Sequence, residues 1–585
     1  MRDSGSTMST AATPASASRE AKPEVAQPYS EDDLPEFTPM PWKLREIRAA
    51  IPSRLFVRDT RRGLAWLGLD LLMAAVCWRA ALHIDPTFRT RAAAHLLTPL
   101  GAAVARWACW TVYWWFQGLI FTGIWVIGHE CGHGAFSASQ YVCDLIGFTV
   151  HTLLWTPYFS WKISHHRHHC NHASMERDEV YVPKTRSDLG IPEERAHGHD
   201  HGHKIDYDEY FGDTPIYTLY MLVRQQLLAF PAYLLVNVSG QKRYPKWTNH
   251  FDPNSILFTK EQWGVVVMSN IGILAMVAIV RLACITWGAA SVIKIYGIPW
   301  LCVTHWFIMI TYLHHTDPEL PHYRQPQWNF QRGAAATVDR DFLGWMGRFF
   351  LHDVAHYHVV HHFFPKMPFC QSPSFFFTFA FLPPPISSSH SSRSYPASGI
   401  PPPSDAHAGL GAIPPACPFS LIPGLRSAAN HGEEATQYLQ AFIGEHYHRS
   451  GKPIFKALWD NYNDCQFVED TGDVLFYRDK KGQAVLRPAA EYRKSAGEGA
   501  RGADPKKEEF EKETQIGKVA ATKRAKANDQ QSARSGPLKS ESCADCNCMD
   551  QSSRCVDAGA ELKTSHRPSS PELAVSPGGR EQVLL

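Results

Sequence analysis

Four long apolar blocks constrain what this chain can fold into: Leu64–Trp78, Ala108–Gly128, Trp263–Val280 and Ser291–Leu313. The last three approach the ~20 residues that a helix needs to cross a hydrocarbon core of roughly 30 Å. The first is shorter and carries Asp70, so it needs its flanks to span. Inside a bilayer each backbone polar group must be satisfied within its own segment, so the blocks predict four transmembrane helices. Trp and Tyr crowd their ends, as side chains with an apolar body and a polar tip do at membrane interfaces.

Basic residues set the orientation. Arg54, Arg58, Arg61 and Arg62 precede the first block, which places its N-terminal side in the cytosol. Four crossings then put both termini, the segment 129–262 and everything after His314 on the cytosolic side. Ile216–Val236 is apolar but interrupted by Arg224, Gln225 and Gln226, which predicts a helix lying along the membrane surface. A net charge of +2 supplies no global field for nucleic acid. Residues 1–36 are polar and lack the apolar core of a signal peptide, so the 14 cysteines are read as mostly reduced and cytosol-facing.

The chain has 30 histidines, and three groups of them share a pattern. HECGH places His129 and His133 four apart, just past the second block. HHRHH offers His165, His168 and His169; HVVHH offers His358, His361 and His362. Spacings of three and four put each set on one helical face. All three sets fall on the cytosolic side of the predicted topology. Eight imidazoles exceed what one tetrahedral zinc needs. They suit two irons, for which imidazole is a good ligand.

The three boxes, in this order beside apolar blocks, resemble the membrane fatty-acyl desaturases. The text between them narrows the resemblance to the oleate Δ12-desaturase group, with fungal members most similar. It rests on FTPMPWKLREIRAAIP, GHECGHGAFS, WKISHHRHHCNHASMERDEVYVP, FPAYLLVNVSG, NHFDPNS, TYLHHTDPELPHY, RGAAATVDRDF and HVVHHFFPKMP. It covers roughly residues 37–369 and 431–480; the ω3-desaturases share this framework.

The resemblance implies an all-α, integral membrane fold with four transmembrane helices and a cytosolic helical cap holding a histidine-ligated diiron site. It implies a multi-pass enzyme of the endoplasmic reticulum that uses O2 and two electrons to insert a cis double bond into an acyl chain. An unactivated methylene C–H bond demands a metal–oxygen oxidant. The family's ligands carry over onto His129, His133, His165, His168, His169, His358, His361 and His362, with His315 in LHHTDP as a further ligand and His314 its rival. No catalytic residue beyond the metal ligands is expected. His166, His172 and His356 are extra histidines beside the boxes. Glu176, Arg177, Asp178 and Asp339 are candidates to orient ligand imidazoles. The haem-binding HPGG of a fused cytochrome b5 domain is missing from the sequence, so a separate cytochrome b5 and its reductase are the expected electron donors. An ω3 (Δ15) desaturase and a fatty-acyl hydroxylase are the alternatives.

HGHDHGH (His197–His203) resembles the loops of zinc transporters and raises a metal transporter as a distant alternative. Transport needs ionisable ligands inside the spans, and these hold only Asp70, Lys294 and His305. The loop is read as a solvated insertion. From about residue 493 the chain is rich in Lys, Glu, Ser, Ala and Gly, and is read as disordered like residues 1–36; its CADCNC is read as unmodified thiols.

Segment 370–430 carries 12 prolines, and its only acidic or basic side chains are Arg393, Asp405 and Arg426. Such a segment forms neither an amphipathic helix nor a packed strand. In the family, a box like HVVHHFFPKMPF leads almost directly into a stretch like HGEEATQYL, which here begins at His431. Segment 370–430 is therefore read as a retained intron interrupting the domain, whose C-terminal part is 431–492.

Overall fold

The computed structural model describes residues 29–89, 97–191, 214–368 and 431–493. The segments 197–203 and 370–430, the CADCNC stretch and most of both predicted disordered termini lie outside the described residues. The described part is mostly helical.

Helix α1 (Thr60–Ala81) begins at Asp59, whose carboxylate accepts from the Arg61 and Arg62 backbone N–H groups. Helix α2 (Pro99–His133) is the central rod. Thr98 caps its start and Pro99 sits in its first turn. Gly134, at φ 73°, ends it in the left-handed conformation. At 1.5 Å per residue its 35 residues span about 52 Å, well beyond the hydrocarbon thickness. If it crosses the membrane, at least one of its ends therefore reaches beyond the hydrocarbon core.

Helices α3 (Gln140–Leu153) and α4 (Tyr158–Asn171) fold back on α2, followed by α5 (Pro215–Val236), α6 (Trp263–Trp287) and α7 (Ile298–His315). Helices α2 and α7 form the most intimate pair. A Cβ on Gly118 would sit 2.4 Å from the Cβ of Cys302, so only glycine permits this approach.

Among the described residues, four helical stretches are long and apolar enough to cross a membrane: Thr60–Thr87, Pro215–Val236, Lys260–Trp287 and Ala289–His315. The first, third and fourth contain three of the four expected blocks. The other block lies inside α2, where tryptophans and Gln117 lower the mean hydropathy while helix length exceeds the bilayer. Pro215–Val236 is the addition, and its sidedness differs from expectation. Gln225 and Gln226 are buried, whereas Ile216, Leu219, Val223, Leu227 and Leu228 are exposed. Helix α6 likewise exposes Ile271, Leu274, Ile279, Leu282 and Ile285. Such continuous apolar surface belongs in lipid, and the protein is a membrane protein.

Two aspartates in these stretches are paired locally. Asp70 is buried, with its Oδ2 2.8 Å from His352 Nε2. At the far end of the bundle Asp85 accepts from Trp110 Nε1 at 2.9 Å and pairs with Lys294 and Arg106.

The expectation of an all-α fold needs one correction. Three two-stranded sheets stitch distant segments together: Glu36–Phe37 with Arg487–Pro488, His322–Tyr323 with Val474–Leu475, and Val338–Arg340 with His448–Ser450. Strands this short carry no alternation a sequence could reveal. Helix α8 (His358–Phe363) sits in a separate small core. Met40, Ile47, Ile51 and Leu55 pack there with Val359, Val360 and Phe363, joined by Leu439 and Ile443 of α9 (His431–Ile443). Met367, Pro368 and Gly432 line one small cavity, so the chain on either side of 369–430 meets beside α8. Helix α10 (Ile454–Asp464) packs against α5 and α7.

Candidate metal centre

The histidines converge from four helix ends. The last turn of α2 brings His129 and His133, α4 brings His165, His168 and His169, α7 ends on His315, and α8 brings His358, His361 and His362. His129, His133, His165, His169 and His361 each place a nitrogen within 4.8 Å of the others. His168, His172 and His362 form a second such group, and His315, His358 and His362 a third that shares His362. All nine expected ligands lie in these groups.

Their geometry fits a metal. Nε2–Nε2 separations are 3.3 Å for His129–His133, 3.1 Å for His133–His165 and 3.2 Å for His165–His169. In the other set, His315 Nε2 lies 3.4 Å from both His168 Nε2 and His358 Nε2. Burial, then the neighbouring histidines, pushes the pKa values of His165, His169, His358 and His362 well below the usual value. Burial likewise takes His361 to about 3. These five imidazoles are therefore neutral at physiological pH, as ligands must be. Converging lone pairs repel unless a cation stands between them. His361 Nε2 and both nitrogens of His362 are buried without a hydrogen-bond partner, the position of groups awaiting a metal.

The two rivals, His314 and His315, point in different directions. His314 Nδ1 lies 2.5 Å from the Ile310 carbonyl and its Nε2 lies 2.8 Å from that of Ala355. Backbone oxygens thus occupy both its nitrogens, whereas His315 faces the cluster. His166 and His356 stand outside the groups. His172 is inside one, but its Nε2 donates to the Ala336 carbonyl at 2.8 Å.

The four orienting candidates separate. Asp178 is fully buried and accepts from His168 Nδ1 at 3.0 Å, with His172 Nδ1 3.5 Å away. Burial alone would raise its pKa, but the electrostatic attraction and hydrogen bonds of the His168 and His172 rings hold it below the carboxylate range. An ionised Asp178 fixes the tautomer of His168 and turns its Nε2 lone pair toward the cluster. Asp339 touches no imidazole side chain. It accepts from the Val359 N–H at 2.7 Å and the Tyr447 hydroxyl at 2.6 Å, so it anchors the start of α8. Burial pushes its pKa up to about 7. Glu176 pairs with Arg324, and Arg177 lies over the Trp328 ring; neither contacts a cluster imidazole.

Sequence reasoning missed Glu130, whose Oε1 is 2.9 Å from His129 Nδ1. Its signal was the carboxylate inside HECGH.

A largely apolar cavity reaches both sets. It touches His129 and His165 of one and His168, His315 and His358 of the other. Trp125, Val126, Ala229, Phe307 and Ile308 are among its walls. Such a slot is lined for an apolar ligand beside the imidazoles.

Fold and site together define a membrane protein with paired imidazole clusters, able to bind metal, beside an apolar cavity. The fatty acid desaturase family model matches residues 105–376. A Delta(12) fatty acid desaturase of Mortierella alpina is 36% identical over 474 residues, covering 80% of this chain and 96% of the relative. The oleate hydroxylase of Claviceps purpurea is 39% identical over 351 residues, covering 57% and 69%. The oleoyl-12-hydroxylase of Ricinus communis is 33% identical over 448 residues, covering 76% and 92%. The chain belongs to the fatty acid desaturase family, which displaces the metal-transporter alternative.

Proposed function

We propose that the protein is an O2-dependent acyl-lipid desaturase that converts oleoyl to linoleoyl chains by inserting a cis double bond at Δ12. The observation that carries this reading is the apolar cavity touching both histidine sets. The Δ12 activities named for its relatives support the position. His129, His133, His165, His169 and His361 would hold one iron, and His168, His315, His358 and His362 the other. When bound, the iron pair supplies the oxidant that unactivated C–H bonds require. The cavity walls hold the acyl chain extended and exclude water. Asp178 and Glu130 fix the ring orientations of His168 and His129. One O2 takes two hydrogens from the chain, with two electrons and two protons, and leaves as two waters. The electrons come from a separate cytochrome b5 and its reductase.

The proposed site is the cytosolic face of the endoplasmic reticulum, with α1, α2, α6 and α7 crossing the membrane and both termini cytosolic. Helix α5 lies along the surface in this arrangement. Its midpoint Arg224 acts on Lys184, and the helix packs against the charged helix α10, which favours the water-facing side.

Expression in a yeast that makes oleate but no linoleate tests the activity by fatty-acid chromatography. Linoleate is expected. Conversion only of fed linoleate assigns the ω3 reaction instead. The hydroxylase names among the relatives make 12-hydroxyoleate the second reading. No new product beyond a His361→Ala control overturns the proposal.

Segment 370–430 is proposed to be retained intron. A version lacking it is expected to yield more product than the chain as written, because its flanks, Pro368 and Gly432, already meet beside α8. Equal yield per unit of protein counts against this. A dominant transcript that retains the segment rejects the intron.

A further inference from the structure

The cavity that touches the histidines extends to segments 182–184 and 238–242. Lys184 and Lys242 are the only lysines, arginines or carboxylates among its lining residues. Lys242 is exposed and marks the mouth; Lys184 is half-buried behind it. The two ammonium groups repel each other. Burial, then the charge of Lys184, lowers Lys242 to about 8. Burial, then the charge of Arg224, lowers Lys184. Asp188 pairs with Lys242, and Asp470 offsets it from farther out. A hydrocarbon chain has no use for cations at the entrance to its slot. The group to which an acyl chain is esterified does, if it carries a phosphate.

We propose that Lys184 and Lys242 form an anion subsite at the cavity mouth that holds the phosphate of the acyl substrate's headgroup. The proposal rests on the acyl-chain reading of the cavity. Two point charges grip a phosphate oxygen each without dictating the rest of the headgroup. They fix how far the chain's first carbon stands from the histidines, so the anchor sets which methylene pair reaches the metals. Either a glycerophospholipid or an acyl coenzyme A carries the phosphate this subsite recognises.

Binding to the full chain in detergent micelles tests it, with oleoyl phosphatidylcholine, oleoyl-CoA and uncharged monooleoylglycerol as probes. The Lys184→Gln, Lys242→Gln double variant is expected to weaken at least one phosphate-bearing probe by about tenfold. Monooleoylglycerol should bind unchanged, which also shows that the cavity is intact. Lys184→Arg, Lys242→Arg should restore most of the affinity. The phosphate probe that loses more in the Gln variant identifies the natural headgroup. Equal weakening of all three probes, or of none, overturns the subsite and leaves the acyl cavity standing. If the wild-type chain binds none of them, the oleoyl reading falls and the subsite with it.

Discussion

His315→Ala is expected to abolish product formation and to remove about half of the bound metal, while His314→Ala keeps both metals. The neighbouring histidines share one helix end and differ only in where they point. His315 Nε2 approaches His168 Nε2 and His358 Nε2 at 3.4 Å. His314 lies between two backbone carbonyls and, being neutral, donates to one of them, so its loss leaves a buried acceptor unsatisfied at a cost of ~1–3 kcal/mol in stability. Metal analysis of the purified variants, alongside product yield, separates the effects. Full activity in the His315→Ala variant would remove it from the ligand set.

Asp178→Asn is expected to lower activity by about 10–100-fold, the range for losing a carboxylate behind a metal-bound imidazole. The change keeps side-chain volume but loses the charge that fixes His168, and the amide can turn a donor toward a nitrogen that also donates. Val180 and Tyr181 donate their backbone N–H groups to the same carboxylate, so the loop after α4 would loosen as well. Glu176→Gln, two residues away in sequence and directed at Arg324, is the matched control and should stay near wild type. Equal losses in both variants would mean that the loop, and not the imidazole contact, carries the effect.

Much of this site is legible in the sequence because a helix converts spacing into facing. Histidines three and four apart on α2, α4 and α8 need no tertiary information to share a stripe, and the apolar blocks tell on which side those stripes emerge. What the sequence cannot carry is partnership. Asp178 and Glu176 stand two residues apart in one acidic stretch, yet one faces the cluster and the other an arginine. Asp339 orients a ligand helix through a backbone N–H, a contact with no residue signature. Gln225 and Gln226 read as a wet face and prove buried, because the structure has polar surface inside and lipid-like surface outside. The short sheets escape notice for want of length.

Those sheets bear on when the centre can exist. The first cluster needs His361 as well as the early His129, and Asp339, which seats the helix bearing His361, is held in turn by Tyr447. The strand beside Asp339 has its partner at His448–Ser450. A growing chain thus exposes two of its three histidine boxes long before it can close either cluster. A metal held by these boxes would load onto the finished, inserted polypeptide, because a chain that stops before residue 447 lacks the Tyr447 hold on Asp339.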